Sequence, residues 1–269
     1  MKNILFLGCG KMGAIIAKNL LEEGGVEANQ IKVLEKSDKN KLEGISYYKN
    51  ATQLEKNYKA DLVFLCIKPQ DCEAVLKEFA ATKNFHKDTI FISILAGKQI
   101  KFFENIFGKN TKIVRSMPNL PIQYSQGIFA YLCNKNIKKV EIKNLQQIFN
   151  NFGCAFEVKN EKSFDLVTAI FGSGPAYIFL LQEIFGEFAK QISKEKSDEL
   201  VKKLFLGSAL MSAFAEENFV QLRGSVTSKA GTTEAAIKSL QKGSALKNIF
   251  KKAFGAAEKR SKELSKNAS

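Results

Sequence analysis

The sequence predicts an α/β domain built on a doubly wound, mostly parallel sheet, followed by an all-helical domain. Three observations predict it. Short apolar runs alternate with amphipathic stretches over the first two-thirds of the 269 residues. The apolar runs lack the polar alternation of a half-solvated sheet, so both faces must be covered by helices. Beyond Pro175 strand signals cease, except for a short apolar run near Val226. The change of texture falls near Val158, which divides the chain into residues 1–158 and 159–269.

In chain order, residues 4–7, 31–34, 62–67, 89–94 and 113–114 read as strands, and 127–132 and 155–158 as further ones. Residues 11–23, 70–81 and 98–107 have helical spacing between them, with Gly108 and Asn110 marking a helix end. In the second part, residues 177–191 carry a broad apolar stripe through Tyr177, Leu181, Ile184 and Phe188. Residues 197–219 are apolar nearly all round. Such a helix is buried in a core or against a second copy of the chain. Residues 234–240 and 244–264 close the series.

Composition narrows the chemistry. With one histidine, His86, a three-histidine metal site cannot be built within one subunit, and no metal is expected. His86 itself reads as exposed and inert in a polar connector. Five cysteines without C-x-x-C spacing argue for reduced thiols in a cytoplasm. The apolar core at the start, residues 4–7, is too short for a signal sequence. No later stretch reads as long and apolar enough to cross a bilayer, so a soluble protein without membrane partners is expected. The net charge of +14 divides as +8 over residues 1–158 and +6 over 159–269, and only three of the 41 basic residues are arginine. An excess so evenly spread reads as a lysine-rich surface rather than a nucleic-acid site.

Gly8-Cys9-Gly10-Lys11-Met12-Gly13 is a G-x-G-x-x-G sequence. It directly follows a strand and opens a helix, which turns a weak pattern into a dinucleotide-binding one and makes the first domain Rossmann-type. The glycines let the backbone approach a pyrophosphate, and the helix N-terminus offers it amide hydrogens. Glu35 ends the second strand 22 residues beyond Gly13, where an acid accepts from a ribose 2′-hydroxyl and favours NADH. Lys36 and Lys39 are placed to meet a 2′-phosphate, which favours NADPH. The two signals conflict. Lys68-Pro69, Ser93 to Gly97 and Arg115 to Asn119 end three successive strands and read as one crevice wall. Val226-Thr227-Ser228-Lys229-Ala230-Gly231-Thr232-Thr233 places four hydroxyls and a glycine before a helix, a receptor for a small carboxylate or an ordinary capping cluster.

Taken in order, these segments resemble the pyrroline-5-carboxylate reductase family. The matches are G-x-G-x-M-G at 8–13, K-P at 68–69, S-x-x-A-G at 93–97, R-x-M-P-N at 115–119, T-A-x-x-G-S-G-P-A-Y at 168–177 and V-x-S-x-x-G-T-T at 226–233. Arg260-Ser261-Lys262-Glu263-Leu264 mirrors a late R-S/T-x-E-L segment. The resemblance implies reduction of 1-pyrroline-5-carboxylate to L-proline by a nicotinamide cofactor, NADPH with NADH as the alternative. It also implies a helical substrate-binding and dimerisation domain, a homodimer and larger rings of dimers.

Carried over by position, Gly8, Gly10, Lys11, Met12 and Gly13 would hold the pyrophosphate, and Lys36 the 2′-phosphate with Glu35 as an uncomfortable neighbour. Asn50, Lys68, Pro69 and Ala96 would line the cofactor site. Glu161, Val226, Ser228, Gly231, Thr232 and Thr233 would surround the substrate, with Thr233 bonded to the ring nitrogen as the catalytic residue. Lys229-Ala230 departs from the family's Pro-Gly. A β-hydroxyacid dehydrogenase shares the two-domain plan, but the lysine it relies on is absent from residues 171–175. An imine reductase acting on another substrate is the nearer alternative, and a basic nucleic-acid-binding protein the one of a different class.

Overall fold

The computed structural model describes residues 3–37, 41–68 and 71–266. Strands β1 (Ile4–Leu7), β2 (Ile31–Leu34), β3 (Ser46–Tyr48), β4 (Ala60–Leu65), β5 (Phe85–Ser93), β6 (Lys112–Pro118), β7 (Gly127–Cys133) and β8 (Gly153–Glu157) form one sheet. Its order is β3-β2-β1-β4-β5-β6-β7-β8. Every pairing is parallel except β6 with β7. Helices α1 (Lys11–Glu22), α2 (Cys72–Thr82), α3 (Ile100–Phe107) and α4 (Lys139–Asn150) cover it.

Successive residues of a strand face opposite sides of a sheet, so a fully apolar strand feeds two cores. Phe6 of β1 stacks on Phe64 of β4 at 4.7 Å, in a layer with Ile16 and Leu20 of α1. Leu5 and Leu7 belong to the opposite layer, with Leu76 and Phe79 of α2 and Phe91 of β5. Burying each such side chain stabilises the fold by about 1.5–3 kcal/mol.

The expected strands and helices are present, except that the helix expected over 197–219 ends at Phe214 and a separate one spans Phe219–Ser225, because Ala215 is extended and Asn218 caps a new helix start. Three further features depart from the expectation. The short edge strand β3 and helix α4 were not legible, since three residues give too little periodicity and α4 buries only Leu145 and Phe149. Strand β5 begins at Phe85, so His86 lies within a strand and not in a connector. The His86 ring is also paired: Nδ1 accepts from the Asp88 N–H at 3.1 Å and Nε2 meets Asp61 Oδ1 at 3.0 Å. Third, the short helix α5 (Ser163–Val167) lies just before the family motif at 168–177, where no element was expected. A π-turn at Thr168–Gly172, closed by Ser173 N–H to the Thr168 carbonyl at 2.9 Å, carries it toward α6 (Gly174–Ala189).

That continuity corrects the expectation that no stretch is long enough to cross a bilayer. The 27 residues Ser163–Ala189 are long and apolar enough by length and composition. A helix covered by another protein chain has the same composition.

The chain forms two compact units, one of residues up to Ser173 together with those from Ala257, the other Gly174–Ala256. The second contains α6, α7 (Ser197–Phe214), α8 (Phe219–Ser225), α9 (Thr232–Gln241) and the start of α10 (Ala245–Lys266). No strand occurs in it. Its apolar faces are open in the single chain: Phe179, Phe188, Leu206, Met211 and Phe214 are all more than half exposed. Among the residues of α7, only Ser197 and Val201 are buried.

Candidate active site

The sheet order reverses direction between β1 and β4, and ligands of open α/β sheets bind outside the strand carboxyl ends at such a point. A crevice of about 620 Å³ lies there, bordered by Gly8, Gly10, Glu35, Lys36, Asn50 and Lys68. Six of the sequence-derived cofactor residues are thus brought together by four separate strand ends, those of β1 to β4. Pro69 and Lys39 lie outside the described residues.

Backbone geometry explains the glycines. Gly8 has φ +83°, and a Cβ there would lie 2.9 Å from the Cys66 carbonyl group, so any side chain would force β1 and β4 apart. A Cβ on Gly10 would meet nothing within 4 Å, which leaves its backbone open to the crevice. Helix α1 has no side-chain cap, and its first bond runs from Ala14 N–H to the Gly10 carbonyl at 2.9 Å. The amides of Lys11, Met12 and Gly13 therefore precede the helical ladder, where an anion takes up the donors. An uncapped helix start behind an open glycine fits the pyrophosphate of a dinucleotide.

Glu35 is held from within the protein. Its Oε2 accepts from the Cys9 N–H at 2.8 Å and its Oε1 from the Ser37 N–H at 2.9 Å. The acid thus fixes the glycine loop against the end of β2, a role the sequence did not reveal. Lys36 is exposed on the same rim, its carbonyl accepting from Lys49 Nζ at 2.8 Å. Asn50 caps the turn after β3, accepting from the Thr52 N–H at 3.2 Å. Burial pushes the Cys9 thiol up to about 11, opposed by a hydrogen bond to Tyr47 and reinforced by Glu35. A thiol so hard to ionise is a packing group in a tight loop.

Ala96 lies beyond β5, in the loop before α3, and is not among the residues that border the crevice. It is exposed, whereas Leu95, Gly97 and Lys98 around it are buried. Glu161 sits just before α5 and is fully engaged. Its Oε2 pairs with Arg115 of β6, whose guanidinium also lies 4.3 Å over the Phe164 ring, and its Oε1 accepts from the Ile100 N–H at 2.8 Å. Arg115 is 2% exposed, so this carboxylate neutralises a buried cation.

In the second unit, the hydroxyl-rich segment forms the turn between α8 and α9. Val226 is exposed and ends α8, so the apolar signal near it is a helix cap and not a strand. Gly231 is the N-cap of α9, and a Cβ on it would lie 2.3 Å from Ser228 Oγ. Thr232 and Thr233 open the helix, ahead of its first bond from Ala235 N–H to the Gly231 carbonyl at 3.2 Å. Ala230 adopts φ +58°, the left-handed region that favours glycine, and its N–H donates to Glu234 Oε2 at 2.7 Å. Among the described residues no cluster of three metal-ligating side chains occurs.

Comparison with known proteins accounts for both halves. Residues 161–264 match the pyrroline-5-carboxylate reductase dimerisation family, and residues 3–97 match the NADP oxidoreductase, coenzyme F420-dependent family. A pyrroline-5-carboxylate reductase of Pseudomonas aeruginosa is 32% identical over 97% of this chain and 96% of its own length. One from Staphylococcus aureus is 31% identical, covering 97% of each. The solved structure of the Coxiella burnetii pyrroline-5-carboxylate reductase superimposes with a TM-score of 0.85 at 34% identity, over 98% of both chains. The Plasmodium falciparum pyrroline carboxylate reductase with NADP bound gives 0.84 at 29% identity, again over 98% of both. With its two segments matched in order and its whole length covered by such relatives, the chain belongs to the pyrroline-5-carboxylate reductase family.

Proposed function

We propose that this chain reduces 1-pyrroline-5-carboxylate to L-proline with NADPH, NADH being the alternative donor, as the last step of proline biosynthesis. The observation that carries the reading is the uncapped start of α1 behind the open Gly10, in a crevice rimmed by Lys36. The bound nicotinamide supplies a hydride. The amides of Lys11, Met12 and Gly13 hold the pyrophosphate, Lys36 meets the 2′-phosphate, and Asn50, Lys68, Pro69 and Ala96 border the remainder.

The cyclic imine is basic, and once protonated its carbon is an electrophile without further activation. Positioning and charge stabilisation are then the main contributions required of the protein. Ser228, Gly231 and the free amides of Thr232 and Thr233 bind the substrate carboxylate, with Val226 beside them. The Thr233 hydroxyl accepts from the protonated ring nitrogen and keeps the proton there. Glu161 contributes through its charge, which is already committed to Arg115. We further propose a cytoplasmic homodimer, assembled into larger rings, that covers the open faces of α6 and α7. Five free thiols suit that compartment.

The test is oxidation of NADPH and of NADH measured in parallel with 1-pyrroline-5-carboxylate, with L-proline identified as product. Faster turnover with NADPH is expected, and no oxidation of either cofactor refutes the reading. Replacing Thr233 by Ala should lower kcat/KM about tenfold or more, the scale of one hydrogen bond to a charged group. A native gel-filtration mass equal to the 29.9 kDa of one chain would refute the dimer.

A further inference from the structure

We propose that the C-terminal end of α10 braces the loop that presents Ala96, and that Ser261 and Asp165 are positioning residues for cofactor binding. This rests on the assignment of Ala96 to the cofactor wall. The late R-S-K-E-L segment, 260–264, has no part in the chemistry above, yet its contacts are specific. Ser261 is 7% exposed and its hydroxyl donates to Asp165 Oδ1 at 2.7 Å. One turn later the chain lies against Gly97, where a Cβ would be 3.2 Å from the carbonyl carbon and oxygen of Leu264. Gly97 has φ +79°, so both its conformation and its neighbour require glycine.

Every other side of the loop is also held. Leu95 N–H donates to Ser93 Oγ at 3.2 Å, and Lys98 N–H to the Leu95 carbonyl at 3.3 Å. Lys98 is buried with its ammonium 4.0 Å over the Phe102 ring. Ile100 N–H is taken by Glu161, one turn before Asp165. The segment 161–165 therefore grips the loop directly through Glu161 and from behind through Asp165, Ser261 and Leu264. The result is a loop held on several sides that exposes Ala96 and, at its end, Gln99. A group held in its binding position before the ligand arrives does not lose affinity to a competing conformation. Releasing the brace lets the loop leave that position.

The experiment compares S261A, D165A and D165N in the full-length enzyme by titrating NADPH and following its fluorescence, with kcat and KM measured alongside. S261A and D165A should raise the NADPH Kd and KM about fivefold while kcat changes less than about twofold. D165N keeps an acceptor oxygen and should stay within about twofold of wild type. G97A, which displaces the loop from Leu264 directly, should weaken NADPH binding in the same way if the alanine variants fail to fold. An unchanged Kd in both S261A and D165A overturns the brace, as does a D165N defect equal to that of D165A. A wild-type enzyme that binds NADPH but does not reduce 1-pyrroline-5-carboxylate would refute the proposed reaction and leave the brace standing on the Kd shift.

Discussion

Replacing Glu161 by Ala strands the Arg115 guanidinium, and the consequence can be worked from the pair's burial. The Arg115 side chain is 3% exposed and that of Glu161 28%. Removing one member of a buried pair costs about 3–5 kcal/mol, because the remaining charge is left unpaired in a low dielectric. Water reaches Glu161, which places the cost at the lower end, about 3 kcal/mol. For a chain of this length that lowers Tm by about 6–12 °C. Arg115→Met keeps an unbranched apolar side chain against Phe164 and removes the stranded charge. The double variant R115M/E161A should therefore be more stable than E161A alone by about 1–2 kcal/mol. Urea unfolding followed by circular dichroism measures all four members of this cycle. An E161A variant within about 1 kcal/mol of wild type, or a double variant less stable than E161A, would refute the buried-charge argument.

Gly8→Ala should abolish NADP+ binding in a calorimetric titration and destabilise the protein by about 3 kcal/mol or more, since its Cβ would collide with the backbone at Cys66; retained affinity would count against the loop geometry. Ala230→Gly relieves a left-handed alanine and should stabilise by about 1 kcal/mol, read as a rise in thermal midpoint; a fall would show that the turn does not need that conformation. Lys112, with a side chain 7% exposed, bridges Asp88 and Glu141 at 2.9 and 2.7 Å. Its hydrogen bond and charge hold Asp88 below the ordinary 3.8; burial would raise Glu141 above its ordinary 4.5, but Lys112 together with the Lys138 N–H and charge bring it below. Depressed carboxylates stabilise the fold above these values and lose that contribution as pH falls through the lowered ones, so wild type should weaken below about pH 4.5 and K112M should show a flatter acid limb. Iodoacetamide at neutral pH should label the exposed Cys154 well before the buried Cys9, as mass spectrometry of short time points would register.

Much of the fold was legible because parallel strands buried on both faces leave unmistakable apolar runs. The runs at 4–7 and 31–34 coincide with β1 and β2 at both ends. Helix α4 escaped because its pattern is mostly polar, and β3 because an edge strand of three residues carries little signal. The glycine loop was legible for a local reason, its spacing between a strand and a helix, although the contact that forbids a side chain at Gly8 comes from Cys66, just beyond the neighbouring strand β4. The departure at Ala230 was visible as a substitution, but its cost became clear only with φ +58°.

By itself the sequence determined the order of the buried strands and of most helices, the glycine-rich phosphate loop, the hydroxyl cluster before α9 and the family resemblance. These are properties of residue type at fixed spacing, written into short stretches of chain. The tertiary structure decided which partners each charge takes. Glu35 and Lys36 are neighbours in sequence, yet the fold ties the Glu35 carboxylate to the amides of Cys9 and Ser37 and leaves Lys36 on the crevice rim. Glu161 finds Arg115 46 residues away, and Ser261 finds Asp165 across 96. No periodicity encodes such pairs, because they exist only once folding has brought remote segments within hydrogen-bonding distance.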